Sequence, residues 1–135
     1  MPKPPTIADL RWSHDLVFEA TSGMTSMLVD GDSREGPSPV QSLVIALASC
    51  MAADVASILA KGRHPYRSLR AHVVADRAQD HPHRVLRVNL RFAIEGAVPG
   101  DAVARAIALS HDKYCSVWHS MAKDIEFTTA YDIEG

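Results

Sequence analysis

Between Pro39 and Gly62 the chain reads PVQSLVIALASCMAADVASILAKG, the longest apolar stretch in its 135 residues. A run of this length needs an extended partner surface, so it dictates what the rest of the chain must build. Ser38 is placed to cap a helix, and Pro39 suits the first helical position, where a missing N–H costs nothing. Lys61, Gly62 and Arg63 form an end signal: cations in the last turn, and a glycine where the chain is expected to turn left-handed. Leu43, Ala46, Leu47, Cys50, Asp54 and Ile58 recur at spacings of three and four, which puts Cys50 on or beside the apolar face. Ala46, Ala48, Ser49, Ala52, Ala53 and Ala56 are small enough for a neighbour to approach closely, so the helix is expected at the centre of the fold. Asp54 and two serines interrupt the stretch, and it reads as too short and too polar to span a bilayer, which takes about 20 apolar residues.

The flanking sequence is mostly strand. Residues 1–8, with three prolines, read as a loose arm. Leu10 to Thr21 reads as one strand and Met24 to Asp30 as its hairpin partner, with Ser22-Gly23 at the turn. GDSREGPSP (residues 31–39) is loop by composition. Tyr66 to Arg77 and Val85 to Glu95 alternate as a second hairpin, Val88, Leu90, Phe92 and Ile94 facing inward on the latter. A second helix is expected over about 101–113, then a short helical piece from Ser116 and a last strand in IEFTTAYDI. The order ββ-α-ββ-α-(α)-β predicts a single α+β domain over 1–135, with two main helices (about 39–61 and 101–113) among five or six antiparallel strands. A helix as apolar as 39–61 is more than one small sheet covers, which favours a homodimer.

Composition narrows the partners. A net charge of −2, without any basic cluster, argues against nucleic acid or an anionic membrane. The N-terminus MPKPPTIADL has no apolar core of a signal peptide, so a soluble, cytoplasmic protein is expected. In that reducing compartment two cysteines argue against a permanent disulfide, and they are too few for a Cys-only zinc site. By residue type alone Cys50 is a packed core thiol, and Asp54 one turn on would raise its pKa unless a cation pairs with it. His111, Cys115 and His119, at i, i+4 and i+8, would share a face and could bind metal only if one continuous helix ran through them. No phosphate loop or nucleophile elbow is present.

GPSPVQSLVIALASCMAADVASILAKGR, taken with LSHDKYCSV, resembles the OsmC/Ohr family of small thiol peroxidases, and within it the YhfA-like branch. The Gly36-Pro37-Ser38-Pro39 lead, the eleven-residue step from Pro39 to Cys50, Asp54-Val55, Lys61-Gly62-Arg63 and Lys113-Tyr114-Cys115 carry the likeness. It implies an intertwined homodimer with central helices and active sites at the subunit interface. It also implies Cys50 as the peroxidatic thiol and Cys115 as the resolving one. A hydroperoxide would be the substrate and a dithiol the reductant, with no cofactor and no metal. The chain departs from the family where a Glu follows the proline, because Val40 and Gln41 stand there. Gln accepts a hydrogen bond but cannot orient an Arg by charge. Arg11 and Arg34 are the candidate activating cations. The competing expectation is a non-catalytic protein that binds a small hydrophobic ligand at the dimer interface.

Overall fold

The computed structural model describes residues 2–135; Met1, at the tip of the expected arm, lies outside them. The chain divides into two compact units, the described residues up to Leu43 and Val44–Gly135.

In the first unit, β1 (Asp9–His14), β2 (Val17–Ser22) and β3 (Thr25–Asp30) form an antiparallel sheet in that order. The stretch expected as one strand from Leu10 to Thr21 is therefore two. Asp15 breaks it, adopting a left-handed φ of 48° that aspartate tolerates, while its carbonyl accepts the Trp12 indole N–H at 2.8 Å. Gly23, with φ 60°, opens the two-residue loop between β2 and β3, where a left-handed residue matches the twist of the strands. Asp30 then organises the loop that leads to the long helix. It is buried, and its carboxylate accepts backbone N–H groups of Asp32, Arg34 and Glu35 at 2.8, 3.2 and 3.0 Å. Those bonds, the Glu35 N–H foremost, hold its pKa below the ordinary 3.8.

The long helix, α1 (Pro39–Lys61), begins in the first unit and continues in the second. It ends in a Schellman motif: His64 N–H reaches Leu59 C=O at 3.0 Å and Arg63 N–H reaches Ala60 C=O at 3.1 Å. The left-handed residue is Arg63, at φ 58°, not Gly62 as its sequence position suggests. Gly62 serves a different need, because a Cβ there would lie 2.9 Å from the His64 ring. By length and composition α1 could cross a membrane, which corrects the expectation that it is too short and too polar. Leu47, Met51, Val55 and Leu59 are nonetheless at most 1% exposed, the pattern of a core helix. That stripe replaces the one expected through Cys50, Asp54 and Ile58, which flanks it; Leu47 alone belongs to both.

In the second unit, β5 (Val85–Glu95) lies between β4 (Ser68–Arg77) and β6 (Glu126–Glu134). β4 pairs with it antiparallel, from Ser68 opposite Glu95 to Arg77 opposite Val85. β6 pairs parallel, Arg87 opposite Glu126 through Glu95 opposite Glu134, so the last strand corrects the expectation of wholly antiparallel pairing. The reason is topological: the helices after β5 carry the chain back across the sheet before β6 begins, the crossover that parallel strands require. Val88, Leu90, Phe92 and Ile94 face inward as the alternation predicts, each at most 1% exposed. The other face carries Arg91–Asp132, Arg70–Glu134 and Arg87–Asp76 ion pairs, exposed and each of small energetic value. α2 (Gly100–Leu109) contributes Val103, Ala106 and Ile107 to the core. It then widens into a π-helical turn, Ser110–Tyr114, before α3 (Ser116–His119).

Phe92 is the largest fully buried side chain on the central strand. Phe92→Ala is expected to lower unfolding stability by about 3–5 kcal/mol in chemical denaturation, the cost of the lost burial and the cavity left behind.

Candidate functional site

Cys115 sits where the wide turn ends. An ordinary α-turn would keep residues 110–115 in helical register. Here the Cys115 N–H reaches back five residues to the Ser110 carbonyl at 2.8 Å, and Cys115 leaves the helix with φ −76° and ψ 97°. That extended conformation makes Cys115 the cap of α3, its sulfur accepting the Trp118 backbone N–H at 3.4 Å. The packing of Trp118 and His111 with Phe127 of β6, ring centroids 4.6 to 5.8 Å apart, anchors the segment on the sheet. The Cys115 side chain is wholly buried.

Cys50, half-buried on α1, is close enough to act on the Cys115 thiol, and both thiols are free. The Cys115 thiol is pushed up from 9.0 to about 11. Burial is the main cause, because a thiolate there would lose its hydration. The Trp118 N–H works the other way, while the hydrogen bond with Cys50 and the charges of Cys50 and Asp54 add to the rise. Cys115 thus keeps its proton at neutral pH. One turn beyond Cys50, Asp54 accepts the Ser110 hydroxyl at 2.7 Å, and Ser110 is itself fully buried. Four side chains from two elements therefore meet: Cys50 and Asp54 of α1, Ser110 and Cys115 at the two ends of the wide turn.

Of the other expected site residues, Arg11, Arg34 and Gln41 belong to the first unit. Arg11 is exposed on β1 and pairs with Glu19 at 3.3 Å. Arg34 sits in the loop that Asp30 holds. Gln41 closes a capping box at the start of α1: its Oε1 accepts the Ser38 N–H at 2.8 Å, and its own N–H donates to Ser38 Oγ at 3.1 Å. It also accepts the Ser33 hydroxyl at 2.6 Å. The carboxamide at this position thus has a local structural task, and the Ser38-x-x-Gln41 spacing is the signal for it. His111, Cys115 and His119 do not converge as ligands, so the condition set for a metal site is not met. The helix runs on as the wide turn only to Tyr114, and Cys115 is extended, so no continuous helix aligns them. His111 Nδ1 lies 2.8 Å from Asp112 Oδ1, and His119 Nε2 lies 3.0 Å from the His111 carbonyl. Among the described residues no three His, Cys, Asp or Glu side chains are grouped to hold a metal.

The comparisons with known proteins define the class. The family model described as OsmC-like protein matches residues 30–130, across both units, and the chain belongs to that family. Among its relatives, Protein YhfA of Escherichia coli K12 is 36% identical over 130 residues, 93% of this chain and 96% of that protein. A hypothetical protein from Aquifex aeolicus VF5 is similar in structure, with a TM-score of 0.90 and 21% identity over 98% of each chain. An organic hydroperoxide resistance protein OsmC from Legionella pneumophila has a TM-score of 0.70 at 12% identity, over 98% of this chain and 99% of its own. At these identities the two structures establish the shared α+β fold.

Because the folded-state pKa of Cys115 lies above its unfolded value, its contribution to stability is complete below about pH 9 and is lost as pH rises toward about 11. Denaturation midpoints measured across that window are expected to fall in the wild type and to flatten in Cys115→Ala.

Proposed function

We propose that the protein is a thiol-dependent peroxidase that reduces organic hydroperoxides or hydrogen peroxide in oxidative or osmotic stress defence. The observation that supports it most is the meeting of Cys50 with a buried, protonated Cys115. Cys50, as thiolate, attacks the O–O bond; the alcohol or water leaves, and Cys50 becomes a sulfenic acid. Cys115 then displaces hydroxide from that sulfur to give a disulfide, and an external dithiol restores both thiols. The unequal burial of the two sulfurs favours this division of labour, since the peroxide meets the half-buried one first. Membership of the OsmC-like family, and the name of the Legionella pneumophila structure, agree with a hydroperoxide-related role.

The active form in this reading is a cytoplasmic homodimer. Only 28% of the most apolar part of α1 is buried within one chain, and Leu43 and Ile45 are 40% and 53% exposed. On the N-terminal sheet Leu10 and Trp12 are 60% and 61% exposed. Apolar surface left open on this scale marks an interface. An activating cation from the partner subunit fits the same picture, with Arg11 and Arg34 as the candidates.

Cys50→Ser is expected to reduce peroxide consumption to the rate of buffer alone. Cys115→Ser is expected to leave a sulfenic acid that a cyclic diketone traps, with turnover by dithiols lost. Unchanged consumption in Cys50→Ser would refute the reading and favour a ligand-binding role. Light scattering is expected to give twice the mass of one chain.

A further inference from the structure

Asp54 is the one charged residue between Pro39 and Ala60, in the middle of an otherwise apolar helix. A carboxylate in such surroundings costs desolvation energy unless it is well partnered. Its hydrogen-bond donor is the neutral hydroxyl of Ser110, at 2.7 Å. Ser110 is fully buried, and its carbonyl holds the Cys115 N–H at 2.8 Å. One residue thus ties the carboxylate to the backbone of the buried thiol. Asp54 also lines a hollow of about 430 Å³ with Ser57, Ile58, Lys61, Leu109 and Tyr114. The hollow is half open, which gives the carboxylate a route to solvent that Cys115 lacks.

We infer that Asp54 is the proton acceptor for the Cys115 thiol when its sulfur attacks Cys50, and that Ser110 is the positioning residue that holds acceptor and thiol together. The inference rests on the reading of the two cysteines as a redox pair. A thiol as buried as Cys115 has almost no thiolate at neutral pH, and only the thiolate attacks. It therefore needs a base within reach, directly or through one water. In the reaction the Cys115 S–H bond breaks and its proton passes to Asp54. The sulfur electron pair forms the S–S bond, and the S–O bond of the Cys50 sulfenic acid breaks. The departing hydroxide takes the proton from Asp54 and leaves as water. The Cys50 sulfur is reduced from sulfenic acid to disulfide while Cys115 is oxidised from thiol to disulfide. The hydroperoxide supplied the oxidising equivalents, and a dithiol returns the pair to thiols. The titratable groups that face Asp54 are Cys50 and Lys61 on α1, and Tyr114 and Cys115 on the wide turn. Lys61 lines the same hollow from about two turns further along α1.

The step can be isolated from peroxide chemistry. In the full-length protein the half-buried Cys50 is converted to a mixed disulfide with a nitrobenzoate aryl disulfide. Release of the aryl thiolate by Cys115 is then followed from about pH 6 to about pH 10. Wild-type release is expected to be nearly independent of pH through neutrality. Asp54→Asn keeps an acceptor for the Ser110 hydroxyl but not the base. It is expected to release about 100-fold more slowly near neutrality and to recover in proportion to hydroxide. Asp54→Glu is expected to restore part of the rate. Ser110→Ala is expected to be slower at every pH without change in the shape of the profile. A wild-type rate that rises tenfold per pH unit through neutrality, which needs no variant to observe, would overturn the inference. So would an Asp54→Asn profile that matches the wild type. Peroxide consumption is measured in parallel. Its absence alongside the expected release profiles would refute the peroxidase reading and leave the proton acceptor standing. The reverse pattern would refute the acceptor alone.

Discussion

The backbone hydrogen bond from Cys115 to Ser110 is the constraint on which the site depends. It spans five residues instead of four, so the end of α2 opens by one residue. Without that widening, Cys115 would continue around the helix axis instead of turning out of it. With it, the residue becomes extended, caps α3, and drops its sulfur into the interior beside α1. The Ser110 hydroxyl locks the same turn from the other side by donating to Asp54. A π-helical turn gives poorer backbone geometry than an α-turn, so it persists where tertiary contacts repay it. Here the aromatic packing of His111 and Trp118 on Phe127, and the bond to Asp54, supply those contacts.

The environment this creates treats the two sulfurs unequally. Cys115 is enclosed, and burial opposes any charge on it. Cys50 is on the flank of α1, not on its buried stripe, and keeps partial exposure. A difference of one helical position decides this. Leu47, Met51, Val55 and Leu59 step around the helix at intervals of four, and Cys50, the residue before Met51 in sequence, falls outside that series. Residues at intervals of four drift slowly around the axis, so the adjacent series Ala46, Cys50, Asp54 and Ile58 forms a parallel ridge beside the core. The thiol and the carboxylate lie together on that ridge, one turn apart, at the border between interior and surface.

This border explains what was legible in the sequence. The inward residues of β5 follow from strict alternation, and α1 follows from its cap, its apolar length and its end signal. The family likeness located the cysteines, because it fixed the spacing from Pro39 to Cys50 and the Lys113-Tyr114-Cys115 motif. Which of two neighbouring ridges of α1 is buried was not legible. Both are apolar enough, and the choice belongs to the residues that pack on them. The parallel pairing of β6 was equally hidden, since strand direction is set by the crossover and not by the strand's own pattern. Gln41 illustrates a different limit. Compared with a family position occupied by Glu, it reads as a lost functional group, whereas Ser38-x-x-Gln41 is also a capping box, and the structure uses it as one.

The same local rules account for the placement of Asp54, the residue least expected on such a helix. An apolar helix that served packing alone would have no use for a carboxylate there, and the one side-chain donor Asp54 receives is a neutral hydroxyl. The Ser110 hydroxyl in turn is a fully buried polar group that would be costly without an acceptor. Each residue therefore makes sense only with the other, and the pair makes sense only where the wide turn brings them together. The turn, the buried thiol, the hydroxyl and the carboxylate form one cooperative unit: a change to any of them alters the surroundings of Cys115 and therefore what the two sulfurs can do.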